Sequence, residues 1–392
     1  MLKENERIIE SIIWLIACVI HGVKPDISRL ENINMEDLYK NAKRNSILSL
    51  IYISLEETGY LQEASAEIFK KWKEHKEQAL VKNILFDEER RIILQELEQA
   101  GIWYVPLKGI KLQNLYPKYG TREMADNDIL FDISKKNDIR KIFLARGYKE
   151  IDSEISAHLS YEKAPFYNFE MHKVLFKPSH IKEMETICHR YEDVKKYLVK
   201  DEDNQYGYHF SPEEEYLYVL AHMYKHFIYG GTGIRSLIDL YVMHEKYNST
   251  WAWDYILKEL QAMGLEDFEK DCSQLCCKLF GTSEYLRIDD LSDGEKEFLG
   301  YFFESGTYGT IKNKTYKDLS LTQNGSASID KTTKLKYLFR RIFPELEWCK
   351  YTFPMVYRHP WIYPFFVIWR IIRGILTKSK IILEEFKIVF KK

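Results

Sequence analysis

The sequence predicts an α+β protein in which a small mixed sheet is set between helical regions. Three observations carry this: helical periodicity fills residues 1–95, short runs of strand formers occupy 102–175, and helical periodicity returns after Pro178. With 392 residues, 45% of them apolar, the chain can bury more than one core and is not a disordered protein.

The elements follow in order. Residues 12–20 are apolar but few, and they follow Glu4, Glu6 and Glu10. The stretch therefore reads as a packed amphipathic helix, not an export signal or a membrane span. Helical spacing continues through 35–57 and 64–98, the latter with many Glu/Lys pairs three or four apart. Residues 102–107 are the first strand, followed by Lys108-Gly109 and a short helix over 110–116. A second strand is expected at 127–133, then a helix over 134–146 stopped by Gly147, then strands at 159–163 and 167–175. Ser211-Pro212-Glu213-Glu214 is a strong helix start, with a cap, Pro at the first position and acids in the first turn. That helix should run to Tyr229, where Gly230-Gly231-Thr232-Gly233 breaks it, and another begins near Ile234. Residues 307–333 are poor in apolar side chains and read as a mobile loop. The expected divisions are a helical region (1–95), an α/β core (96–178), a helical domain completing a cleft (179–306), the loop (307–333) and a basic helical segment (334–392).

The net charge of −2 gives no global argument for nucleic-acid binding, so a nucleic-acid partner is allowed but not favoured. The charge is uneven, with 14 Lys and Arg against 4 Asp and Glu between Lys331 and Lys392. Such a segment can pack on the protein, or touch nucleic acid or an anionic membrane peripherally. The six cysteines show no metal-ligand spacing, and Cys272 and Cys276 fall one turn apart in an apolar stretch, which reads as core. A reducing, cytoplasmic compartment fits this usage.

The chemistry concentrates in Lys108-Gly109 and in Gly120-Thr121-Arg122-Glu123-Met124-Ala125-Asp126-Asn127-Asp128. In an extended chain Asp126 and Asp128 point to one face, and two adjacent carboxylates need a cation. Mg²⁺ suits such a pair because it takes one or two carboxylates together with water and phosphate oxygens. Glu170, in Phe169-Glu170-Met171-His172, is the candidate third carboxylate; with it, two ions can serve one transferring phosphate. Lys108 and Gly109, at a strand-to-helix junction, are expected to receive phosphate, with Arg122 adding charge. A D-x-D alone is common in turns; the joint order of K-G, G-x-R, D-x-D and E-x-H is what points to nucleotidyl transfer. His222 and His226, one turn apart, have a spacing that can bind zinc, but no third ligand is evident, so core or nucleotide-contact roles are favoured. Lys225 and Arg235 flank the glycine-rich turn and are expected to face the phosphates or the acceptor. Arg235 and Asp239, four apart, can also simply pair on the helix surface.

Residues 105–132 resemble an uncharacterised nucleotidyltransferase family, nucleotidyltransferase-fold family 5 of the polymerase-beta-like superfamily. The likeness rests on Lys108-Gly109, Arg122-Glu123-Met124-Ala125-Asp126-Asn127-Asp128 and Glu170-Met171-His172, and extends to His222–His226 and to Gly231, Gly233, Arg235 and Asp239. It implies a nucleotidyltransferase core and a Mg-dependent enzyme that moves an NMP from an NTP to a hydroxyl with release of pyrophosphate. The acceptor is left open: a small molecule, tRNA or a protein. Two departures matter. Lys108-Gly109 replaces the superfamily's usual Gly-Ser, as in toxin-like relatives, and Glu170 replaces the commoner Asp. A non-catalytic nucleotide-binding scaffold and a tRNA-modifying toxin are the alternatives.

Overall fold

The computed structural model describes residues 2–56, 58–151, 157–179, 181–307, 309, 315, 331–346, 349 and 353–390. The segment 307–333, expected to be a mobile loop, lies for the most part outside them.

The chain opens with helices α1 (Leu2–Ile20), α2 (Met35–Arg44), α3 (Leu48–Glu56), α4 (Tyr60–Ala64) and α5 (Ala66–Gln99). Residues 12–18 of α1 are buried, as a packed helix requires. The periodicity of 35–57 is interrupted at Ser46, whose φ of 52° cannot continue a right-handed helix. The sheet follows, with β1 (Tyr104–Pro106), a four-residue α6 (Gly109–Leu112), β2 (Asn127–Phe131), α7 (Lys136–Ala145), β3 (Lys149–Glu150), β4 (His158–Lys163) and β5 (Tyr167–His172). Its order is β1-β2-β5-β4-β3, with β2 and β5 parallel and the other pairs antiparallel. Several expected elements are shorter than predicted, among them β1, which covers 104–106 of the expected 102–107, and β5, which ends at His172 instead of 175. β2 stops at Phe131 because the Asp132 side chain accepts from Ser134 N–H and turns the chain. The helix expected over 110–116 is only α6 plus a 3₁₀ turn, Gln113–Leu115.

Alternation along the strands sorts side chains onto two faces. Ile129, Phe131, Leu159, Tyr161, Phe169 and Met171 join Phe86, Ile93 and Leu97 of α5 and Ile139 and Phe143 of α7 in one core. The opposite face turns toward a second helical layer. That layer comprises α8 (Lys182–Arg190), a hairpin of β6 (Leu198–Lys200) and β7 (Tyr208–Phe210), α9 (Pro212–Tyr229), α10 (Ile234–Tyr247), α11 (Trp253–Met263), α12 (Glu266–Phe280) and α13 (Asp293–Ser305). The Ser211 side chain caps α9 on Glu214 N–H, and Gly230 follows its last residue, both as predicted. Cys272 and Cys276 are buried in α12, again as predicted.

The N-terminal helices and this layer share one apolar cluster running from Ile8 to Phe303. Polar contacts seal the join: the Trp14 indole N–H donates to Ser283 O at 3.1 Å, and Ile288 N–H donates to Glu10 Oε1 at 2.8 Å. The rest of the described chain is α14 (Lys331–Ile342), α15 (Pro354–Arg358) and α16 (Tyr363–Phe390), the last kinked at Lys378. Among the described residues no helix is long and apolar enough to cross a membrane.

Candidate active site

The sheet face opposite α5 ends in a cleft of about 550 Å³. Lys108, Asp126, Asp128 and Glu170 line its floor, and His222, Lys225 and His226 of α9 with Arg235 of α10 line its roof. The strand register brings the carboxylates together, since Asp128 on β2 lies directly beside Glu170 on β5 in a parallel pair. Asn127 points away and is wholly buried, its Oδ1 accepting from Arg90 Nη1 of α5 at 2.8 Å. α5 also holds the approach to the acidic pair, with Asn83 Nδ2 donating to Arg122 O at 3.0 Å.

Asp128 is the best-connected of the three carboxylates on the cleft floor. Its Oδ1 accepts from His172 Nε2 at 2.7 Å and its Oδ2 from Lys108 Nζ at 3.1 Å. Burial acts to raise this carboxyl, but the Lys108 ammonium and His172 overcome it and hold Asp128 well below the usual carboxylate range. Among the described residues the two other floor acids have no contacts as short, Glu170 meeting His158 and His172 only at 3.4 and 3.7 Å. Asp126 is raised by burial and then by Asp128 beside it. Glu170 is raised to about 8 by burial, then by Asp128 and Asp126. On the roof, Lys225 is lowered to about 7, by burial first and then by Lys108. Three carboxylates held this close favour a cation between them. Oxygen donors of this kind suit a hard divalent ion.

Lys108 itself is strained, with φ 45° and ψ −113°. That region costs a non-glycine residue about 1–3 kcal/mol, and here it aims the side chain at Asp128. Beneath it lies Glu215 of α9, buried, with Oε1 making no hydrogen bond. Its carboxyl is pushed up to about 7 by burial, against the Lys111 charge and the Lys108 backbone N–H. Between pH 4.5, its ordinary value, and about 7, folded Glu215 keeps a proton that the unfolded chain has released. Stability from this group therefore falls as pH rises across that window, by about 3 kcal/mol in all. Glu215→Gln is expected to flatten that decline in urea titrations at pH 5 and pH 7. An unchanged slope would count against the assignment.

Arg122 does not reach into the cleft as a free cation. Its Nε and Nη2 each donate at 2.8 Å to Oδ1 and Oδ2 of Asp239, and Tyr116 Oη donates to the same carboxylate at 2.7 Å. Both charged residues are buried. The pairing of Asp239 with Arg235 considered from their spacing gives way to this clamp, and Arg235 Nη1 donates instead to Glu123 O at 2.7 Å. Gly109 is explained by the same clamp, because a Cβ there would lie 2.6 Å from Arg122 Nη1 and 2.9 Å from Met124 Cε. Gly109→Ala is accordingly expected to cost about 1–3 kcal/mol through overpacking, read as a lower urea midpoint. α6 is too short to offer phosphate a helix dipole, and its junction brings Lys108 and Gly109 to the cleft lining.

His222 and His226 face each other, Nε2 to Nε2 at 3.1 Å, on the cleft roof. They gather no third ligand among the described residues. Sequence reasoning missed His158, which β4 pairs directly with His172, and Glu215. His158 stands one residue before the strand expected at 159–163. Its face was readable by alternation, but its neighbours depend on a pairing the sequence does not state.

Adjacent strands of a mixed sheet thus present carboxylates to a helical layer that bears Lys225 and Arg235, an arrangement able to hold a phosphate with a cation. The model of a family described as uncharacterised nucleotidyltransferase matches residues 31–281, and the chain belongs to that family. The match takes in the N-terminal helices from α2 onward as well as the sheet and α9–α12. No curated protein and no solved structure matches the chain.

Proposed function

We propose that this protein transfers a nucleoside monophosphate from a nucleoside triphosphate to an acceptor hydroxyl, with Mg²⁺ held by Asp126 and Asp128 and Glu170 completing the set for a second ion. The observation that carries the reading is the direct lateral pairing of Asp128 with Glu170, with Asp126 two residues before Asp128, just ahead of the strand. An ion held by Asp126 and Asp128 would supply positive charge against the triphosphate. Lys225 and Arg235 face the phosphates from the roof, and Lys108 supports Asp128 from the floor. Arg122 serves as the brace of the segment leading to Asp126. The acceptor oxygen bonds to the α-phosphorus, the bond to the α–β bridging oxygen breaks, pyrophosphate leaves with that electron pair, and the hydroxyl proton passes to water.

The test uses the purified chain with Mg²⁺ and each α-labelled NTP, offering total tRNA, protein and a small-molecule extract as acceptors. Wild type should transfer label and Asp126→Ala should not. Undiminished transfer by the variant would remove the aspartate pair from the chemistry. Nucleotide binding that needs the aspartates, without transfer to any acceptor, would favour the binding-protein reading. Label on tRNA together with growth arrest on expression would favour the toxin.

We further propose that α16 rests on an anionic membrane surface. It exposes Phe365 and Leu376 at 67% and 77%, Trp361 just before it is 72% exposed, and the segment from 331 carries 14 basic against 4 acidic residues. The full chain should float with vesicles of phosphatidylcholine and phosphatidylserine and not with phosphatidylcholine alone, and equal behaviour on both would end this proposal. All six cysteines are free, which suits a reducing, cytoplasmic compartment.

A further inference from the structure

The acids of the cleft are not its whole donor set. β4 begins at His158, and its register places that residue beside His172, with Ser160 beside Glu170. His158, Glu170 and His172 therefore project from one face of two paired strands. His158 Nδ1 stands 3.4 Å from Glu170 Oε2, and His172 Nε2 stands 3.7 Å from the same oxygen. One donor atom from each of the three residues lies within 4.8 Å of the other two. Donors arranged around an ion at about 2.1 Å are themselves separated by roughly 3–3.5 Å, so small side-chain rotations bring these atoms into one coordination sphere.

The chemistry of this group differs from that of Asp126 and Asp128. Two imidazoles and one carboxylate form a nitrogen-rich set, and imidazole favours first-row transition ions over Mg²⁺, which takes oxygen and keeps its waters. His172 Nε2 now stands 2.7 Å from Asp128 Oδ1; to ligate an ion it would shed its proton and give up that hydrogen bond, which couples the set to the aspartate pair. We infer that His158, Glu170 and His172 form a seat for a divalent transition ion such as Mn²⁺, Co²⁺ or Zn²⁺, next to an oxygen-only Mg²⁺ position at Asp126 and Asp128. This inference rests on the reading of the cleft as a transfer site, since it divides that site's two ions by chemistry. His158 is then a metal ligand that neither the acidic motif nor E-x-H contains.

Co²⁺ alone, without nucleotide, is the probe, titrated into the full chain and followed by its visible absorption and by calorimetry, with Mg²⁺ titrated in parallel. Wild type should bind Co²⁺ at least about tenfold more tightly than Mg²⁺, with an absorption band that reports nitrogen ligation. His158→Ala should weaken Co²⁺ by about 10–100-fold and shift the band while leaving Mg²⁺ affinity unchanged. His158→Gln is the companion variant, and far-UV circular dichroism shows that each is folded. Unchanged Co²⁺ affinity and spectrum in a folded His158 variant would overturn the seat, as would equal losses for both ions. Label transfer measured on the same preparations separates the two readings. Transfer with a His158-independent Co²⁺ signal keeps the enzyme and rejects the seat, whereas a His158-dependent signal without any transfer keeps the seat and rejects the enzyme.

Discussion

Asp128→Asn is expected to lower nucleotidyl transfer by about 10³-fold, the loss of roughly 4 kcal/mol of charge stabilisation at a metal-held phosphate. The substitution keeps the volume of the side chain, and its amide oxygen can still accept from His172 Nε2. What disappears is the charge that Lys108 meets at Oδ2 and that the proposed ion would also draw on. Glu170→Gln should lose less, about 10²-fold, because Glu170 is bound on one side only by the weaker contacts to His158 and His172. Rates with saturating Mg²⁺ and NTP decide both. A Glu170→Gln enzyme at the wild-type rate would show that the third carboxylate lies elsewhere. An active Asp128→Asn enzyme would undo the whole assignment.

The second large effect concerns stability. Arg122→Ala or Asp239→Ala leaves one buried charge without its partner and should cost about 3–5 kcal/mol. Arg122→Met combined with Asp239→Leu removes both charges and should be far milder than the two single losses added together, because no unpaired charge stays inside. Urea unfolding reads both, as a midpoint shift at constant slope. Single variants that unfold at the wild-type midpoint would mean that the clamp holds nothing. Transfer should fall with the clamp as well, since Arg122 fixes the chain four residues before Asp126.

Much of this was legible in the sequence because it depends on local rules. Ser211 and Pro212 start α9 where a cap and a first-turn proline should. Alternation placed Phe169 and Met171 in the core and left Glu170 and His172 on the opposite face. Side-chain partners were legible only where they were local. Arg122 looked like a phosphate ligand because nothing nearby claims it, and Asp239, 117 residues away, does. Gly109 looked like a phosphate cradle, yet the group a side chain would strike there is Arg122. β3 and the β6–β7 hairpin went unseen because two- and three-residue strands are too short to display a period. The residues missed at the site, His158 and Glu215, belong to pairings between elements, which no window along the chain contains.

The shared core of the N-terminal and later helices also has a consequence for how the chain comes into being. α1 leaves the ribosome with Ile12, Ile13, Leu15 and Ile16 uncovered, while Ser283, the acceptor of Trp14, follows 269 residues later. At about 5–20 residues per second, that wait lasts roughly 15–50 s. For that interval α2 and α3 can already pack on α1, but the side of it that meets α12 stays uncovered. Holding factors that shield the emerging segment should therefore raise the yield of soluble protein, and slowed translation should lower it.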